Sequence, residues 1–184
     1  MEEQRRTPRL GRPPVLSREL LIATALEQGV SALSVRGLAQ RLGVAHSALY
    51  RWVRNRDELL DLVSDALLER VIHAMEDHPD EWRTWLDQLA WAIRRSFLPF
   101  LDHEGVAQFP RTTATYADLR RTAERVLQAG GMRPAAAADT YQVFLLTVWG
   151  WLAAEKACSD QDDHERLFAM MVEVLIRGLP AHDT

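Results

Sequence analysis

Within residues 38–60 one helix ends on a glycine, a second begins two residues later, and a third opens with a capping pattern. Leu38 and Leu42, with Val35 one turn earlier, form an apolar face that stops at Gly43, the residue type that ends helices in the left-handed conformation. From about Ala45 to Val53 a second segment mixes small, aromatic and basic residues, with Leu49 and Val53 spaced to face inward. Asn55-Arg56-Asp57-Glu58 then fits a capping box, with Asn55 as cap and Glu58 reaching back. Two short helices across a glycine turn, followed by a capped long one, are the shape of a helix-turn-helix whose second helix enters a DNA major groove.

Charge is distributed to match. Residues 1–56 carry ten arginines against four glutamates, a net of +6, while the whole chain is at −4 and the remainder therefore at −10. Basic charge gathered at the helix-turn-helix end marks a polyanion-binding end, and the acidic remainder is repelled from a phosphate backbone. Residues 1–16 hold four arginines and three prolines with little apolar material and read as a flexible basic arm. Arg12, or Arg9 beside it, is the type of side chain that enters a narrow A·T minor groove.

The remaining punctuation predicts an all-α chain. Ser17 caps a first helix, Arg18 to Gln28, and Ser34 caps a second that ends at Leu42. Gly37 sits inside that second helix at a cost of about 1 kcal/mol relative to alanine; close approach of another backbone, DNA included, is one reason to keep it. The fourth helix runs from Arg56 to about Glu76, with Leu59, Leu60, Val63, Ala66, Leu67, Val71 and Met75 as its apolar stripe. His78-Pro79-Asp80 stops it. Helical spacing resumes from Trp82 to Phe97, followed by a short element from Phe100 to Gln108. Further helices are expected over about Thr113–Ala129, Pro134–Cys158 and His164–Arg177.

On the third helix His46, Ser47, Ala48 and Arg51 occupy the exposed N-terminal end. Ala48 suits a thymine methyl, and Arg51 suits a bidentate bond to guanine O6 and N7. Tyr50 and Trp52 pack on sugar while offering a phosphate an O–H or N–H. Arg36 and Arg56, at the starts of the second and fourth helices, point at flanking phosphates, Arg56 with the help of its helix N-terminus.

Across residues 33–44 and 48–60 the chain resembles the tetracycline-repressor family of bacterial transcriptional regulators, in particular the tetracycline repressor's own subgroup. The resemblance extends over roughly residues 17–65. It implies an all-helical homodimer, with an N-terminal three-helix DNA-binding domain (residues 17–60) and a C-terminal helical-bundle domain for ligand binding and dimerisation (residues 61–184). By matching position, Arg36, His46, Ser47, Ala48, Tyr50, Arg51, Trp52 and Arg56 inherit DNA-contact roles. The family usually carries histidine or tyrosine where Trp52 stands, lysine where Arg56 stands, and a basic residue where Gly37 stands.

In the C-terminal part, Leu145 and Leu152 on the penultimate helix and Leu167, Met170, Met171 and Val174 on the last are candidates for a four-helix dimer interface across a two-fold axis. The alternative is that both faces are internal core. The middle region is rich in aromatics, which line apolar pockets between helices as well as plain cores. Trp85, Phe97, Phe100, Tyr116, Tyr141 and Trp149 are the aromatic candidates for a ligand pocket, and His73, His103 and Gln142 are polar candidates to orient its occupant.

No Gly-x-Ser-x-Gly, Walker loop or dinucleotide fingerprint occurs, and no histidine or cysteine spacing suits zinc, so neither an enzyme, a metal site nor a cofactor is expected. No apolar run reaches a membrane-spanning length, and a lone Cys158 makes no internal disulfide, which fits a reducing cytoplasm. These features predict a regulator that binds a palindromic double-stranded DNA operator as a dimer. A small hydrophobic or aromatic effector releases it. The competing reading is an effector-independent DNA-binding or architectural protein, which a filled core in place of a cavity would favour.

Overall fold

A computed structural model describes residues 16–75, 81–102, 104–157 and 163–179. Among these residues there are eight α-helices, two 3-10 turns and no strand. The helices are α1 (Arg18–Gln28), α2 (Val35–Leu42), α3 (His46–Leu49), α4 (Arg56–Ala74), α5 (Trp82–Phe97), α6 (Ala114–Ala129), α7 (Pro134–Ala157) and α8 (His164–Gly178). The 3-10 turns, Leu98–Phe100 and Gly105–Gln108, lie between α5 and α6. The basic arm, the Pro79 break and the end of the chain after Leu179 lie outside the described residues.

Helix starts follow the expected caps. The side chains of Ser17, Ser34, Asn55 and Thr113 accept from the backbone N–H groups of Leu20, Gly37, Glu58 and Tyr116. The capping box closes one residue early: Glu58 Oε2 accepts from the N–H of Arg54 at 2.8 Å rather than from Asn55. Gly43 takes the left-handed conformation at φ 65°, and its N–H and that of Val44 bond back to the carbonyls of Gln40 and Ala39. This paired closure ends α2 and turns the chain into α3. Gly37 has an internal explanation. A Cβ there would lie 2.7 Å from Nε2 of Gln28 and 2.9 Å from Oγ of the Ser34 cap.

One apolar core runs from Leu21 on α1 to Ile176 on α8. α4 is its spine. It packs on α1, α5 and α6, while α7 lies against α6, α5 and α8. The predicted stripe of α4 is buried from Leu59 to Val71. Ion pairs staple the perimeter. Arg18 on α1 meets Glu69 on α4 at 3.2 Å, and Arg111 bridges to Asp57 at 3.3 Å and to Asp61. Arg94 on α5 and Glu155 on α7 form a part-buried pair. Nη2 lies 2.6 Å from Oε1, Trp151 Nε1 donates to the same carboxylate at 3.2 Å, and the guanidinium sits over the rings of Trp91 and Phe168.

Candidate nucleic-acid interface and interior chamber

α3 has only four helical residues, His46–Leu49, followed by a turn over residues 50–52, in place of the expected helix to Val53. Leu49 and Val53 are buried as expected and anchor the segment on the core. The residues between and before them face outward. His46, Ser47 and Arg51 are exposed, Tyr50 and Trp52 keep 51% and 42% of their surface, and Ala48 is half-buried. His46 meets Tyr50 ring edge to ring face at 4.9 Å. Arg36, at the start of α2, is also exposed. Among the described residues no ion pair or hydrogen bond engages the side chain of Arg36 or Arg51. Large aromatics and uncommitted guanidinium groups in water on one short segment are the composition of a surface that meets a polyanion.

Arg56 departs from the expected phosphate role. Its guanidinium turns inward, donating to the carbonyl oxygens of Leu33 at 3.1 Å and Val30 at 3.4 Å and to Oε1 of Gln108 at 3.2 Å. Arginine does this because its planar fork serves three acceptors at once, which a lysine ammonium cannot match in the same geometry. Arg12 lies outside the described residues.

A second feature lies in the interior. Phe97, Tyr116, Tyr141 and Trp149 line an apolar chamber together with Ser64, Leu68, Ile93, Pro110, Leu119 and Leu145. Phe97 meets Trp149 edge-on at 5.0 Å, and Phe109 stacks on Trp149 at 6.1 Å. The chamber measures about 10 Å³, the space of a single water. Two polar atoms within its wall residues, Tyr141 Oη and Trp149 Nε1, are buried with no hydrogen-bond partner among the described residues. Burial pushes the Tyr141 phenol well above its ordinary range, nearby Tyr116 and Glu124 adding to the shift and Arg120 opposing it, so the group is a neutral O–H.

The other pocket candidates are elsewhere. Trp85 is plain core that does not line the chamber, and Phe100 sits in the first 3-10 turn beneath the Arg70 guanidinium. His73 is exposed with its Nδ1 2.6 Å from the carbonyl of Glu69, and Gln142 is exposed on the outer side of α7. His103 lies outside the described residues. Ser64 went unrecognised, although a polar residue within the apolar stripe of α4 was a legible signal. Pro110, on the segment before α6, carried none.

The expected dimer face is corrected on α7. Leu145 and Leu152 are buried within the subunit, on the same side as Tyr141 and Val148. The outward side of α7 carries Val143 and Leu146 instead, the latter 61% exposed. On α8, Met170 and Val174 are exposed, and Leu167 and Met171 are half-buried. α7 is apolar on nearly every side, so spacing by three and four matched its inner face as readily as its outer one.

No helix is long and apolar enough to cross a membrane, among the described residues. No protein-family model matches the chain. The chain is 34% identical over 161 residues to the class C tetracycline repressor protein of Escherichia coli, covering 82% of this chain and 71% of that one. It superposes on a tetracycline repressor variant from Acinetobacter baumannii AYE, solved in complex with minocycline, with a TM-score of 0.75 and 29% identity over 89% of this chain and 96% of that one. A Streptomyces coelicolor TetR family protein solved with actinorhodin shares the fold, with a TM-score of 0.76 at 24% identity over 90% of this chain and 96% of that one. With the helix-turn-helix and the helical bundle behind it, these similarities establish that the chain belongs to the tetracycline repressor family of transcriptional regulators.

Proposed function

We propose that this protein is a repressor that binds a palindromic operator as a homodimer through α3 and its following turn, and is released when a small molecule enters the chamber between α4, α5, α6 and α7. The observation that carries the DNA reading is the row His46, Ser47, Tyr50, Arg51 and Trp52, held out by buried Leu49 and Val53, with Arg36 beside it. Arg51 reads guanine edges, Ala48 meets a thymine methyl, and Tyr50, Trp52 and Arg36 hold sugar and phosphate. The N-terminal arm, with Arg12, adds minor-groove contact. Val143, Leu146, Met170 and Val174, with Leu167 and Met171, supply the apolar faces of a four-helix dimer bundle, which sets the spacing between two reading elements.

Selection of bound fragments from genomic DNA tests the reading. The expected result is a short palindrome bound tightly with a steep loss of affinity on adding salt. Arg51→Ala or Tyr50→Ala weakens the best fragment about tenfold or more with an unchanged Tm, since both side chains stand in solvent. Fragments without a recurrent sequence, or variants that bind as well as the parent, overturn it.

A second reading, a DNA-binding regulator without an effector, is favoured by one observation: the chamber has room for only about one water. Against it stand the two partnerless polar atoms in the chamber wall. Binding of a small molecule there separates the two.

A further inference from the structure

We propose that the chamber takes a neutral, planar aromatic ligand bearing hydrogen-bond acceptors, received by Trp149 Nε1–H and Tyr141 Oη–H. This inference rests on the effector reading above and names the chemical class of that effector.

Two observations carry it. The first is the state of the two donors. Indole N–H is a donor only, and a buried phenol usually finds a partner, because an unpaired polar group in an apolar surround costs the full loss of its hydration. Both groups are buried, both belong to residues of one chamber, and neither has a hydrogen-bond partner among the described residues. They are eight residues apart on α7, a little over two turns, and so lie on the same side of that helix. An acceptor-bearing molecule on that side is the ligand that satisfies both.

The second observation is the character of the wall. Ser64, Leu68, Ile93, Phe97, Pro110, Tyr116, Leu119, Tyr141, Leu145 and Trp149 include no charged side chain. A carboxylate or ammonium entering here loses its hydration with no charged side chain in the wall to meet it, since nearby Arg120 is paired with Glu124 at 2.7 Å, whereas a neutral ring keeps the dispersion contacts of Phe97 and Trp149. Tyr141 remains protonated and available as a donor at physiological pH. The chamber opens to a bicyclic ring only by outward movement of part of its wall. Pro110 is exposed and Tyr116 half-buried, so the stretch leading into α6 is the part of the wall nearest solvent.

Equilibrium dialysis of the full chain against three bicyclic probes tests the class. Coumarin is neutral with acceptors, naphthalene is neutral without them, and 2-naphthoate is charged. Coumarin is expected to bind at least tenfold tighter than either of the others. Trp149→Phe and Tyr141→Phe are each expected to weaken coumarin at least fivefold while leaving naphthalene unchanged, which shows that the variants remain folded around an intact chamber. Leu68→Trp, which fills the chamber, abolishes binding of all probes. Equal or tighter binding of naphthalene or 2-naphthoate, or coumarin affinity indifferent to both phenylalanine variants, overturns the ligand class. No binding by any probe at 1 mM overturns it as well. Release of the selected DNA fragment is read in parallel. Coumarin bound as expected without release leaves the ligand class standing and removes the effector reading, and release by 2-naphthoate alone does the reverse.

Discussion

Arg56 at the first turn of α4 and Gln108 at the end of the second 3-10 turn are joined by a 3.2 Å hydrogen bond, Nη1 to Oε1, while the same guanidinium holds the carbonyls of Val30 and Leu33. One side chain thus ties the loop between α1 and α2 to the segment that leads, through Pro110, to the wall of the interior chamber.

Arg56→Ala is expected to lower stability by about 1–3 kcal/mol, since the Leu33 carbonyl loses this donor, while the Val30 carbonyl keeps the N–H of Leu33. Operator affinity falls with that loss, but the dependence of affinity on salt does not change. A residue bound to phosphate would instead reduce the salt slope by about one. Urea unfolding and a salt series on the variant decide between the roles.

A carboxylate serves the same junction. Asp102 accepts from the Ser31 hydroxyl and from the N–H of Gly105 at 2.6 Å. Burial works to raise its pKa, but the bonds from Ser31 and Gly105 outweigh it and hold the carboxyl below the usual aspartate value. A lowered folded pKa gives stability that is present above the unfolded value, ~3.9, and lost as pH falls through the folded one. The stability difference between the parent and Asp102→Ala is therefore expected to be constant from pH 7 to 5 and to shrink below about pH 4. Chemical denaturation across that range measures it. A difference that grows toward low pH contradicts the assignment.

The two sides of α7 respond differently to charge. Leu146→Glu, or Val174→Glu on α8, is expected to give folded monomers in sedimentation, because both positions face outward. Leu145→Glu buries a carboxylate in the chamber wall and is expected to cost more than about 3 kcal/mol, with loss of folded protein. A folded monomeric Leu145→Glu would restore that residue to the interface.

Arg94 and Glu155 offer a test of part-buried charge. Glu155→Ala strands the Arg94 guanidinium between Trp91 and Phe168 and is expected to destabilise by about 3–5 kcal/mol. The double substitution R94M/E155L removes both charges from the same packed space and is expected to recover most of that loss. Thermal unfolding of the two variants provides the comparison.

What the sequence made legible was local. Ser17, Ser34, Asn55 and Gly43 act within one turn of themselves, so the limits of α1, α2 and the start of α4 are readable from residue type and spacing. Leu49 and Val53 were readable as anchors for the same reason. α3 itself was read too long because Tyr50, Arg51 and Trp52 are compatible with a helix, and only the tertiary setting turns them. The inward bonds of Arg56 were not readable, because its acceptor on Gln108 is 52 residues away, a distance no spacing rule reaches. Phe97, Tyr116, Tyr141 and Trp149 come together around one chamber. Nothing local distinguished them from Trp85, which is buried and does not line that chamber. Leu145 and Leu152 show the remaining limit: on a helix apolar all round, periodicity finds a face but not the direction it points.

The shared spine has a consequence for cooperativity. α4 begins just after α3 and its turn and continues for 19 residues into the bundle, α1 is joined to it through Arg18 and Glu69, and the apolar core shows no break between them. A boundary at residue 60 would therefore not divide a folding unit. A fragment ending there keeps barely one turn of α4 and exposes the underside of α1, so it is expected to be unfolded in isolation. In the intact chain the slowest-exchanging amides of α1 and α4 are expected to open together, in a single transition rather than domain by domain.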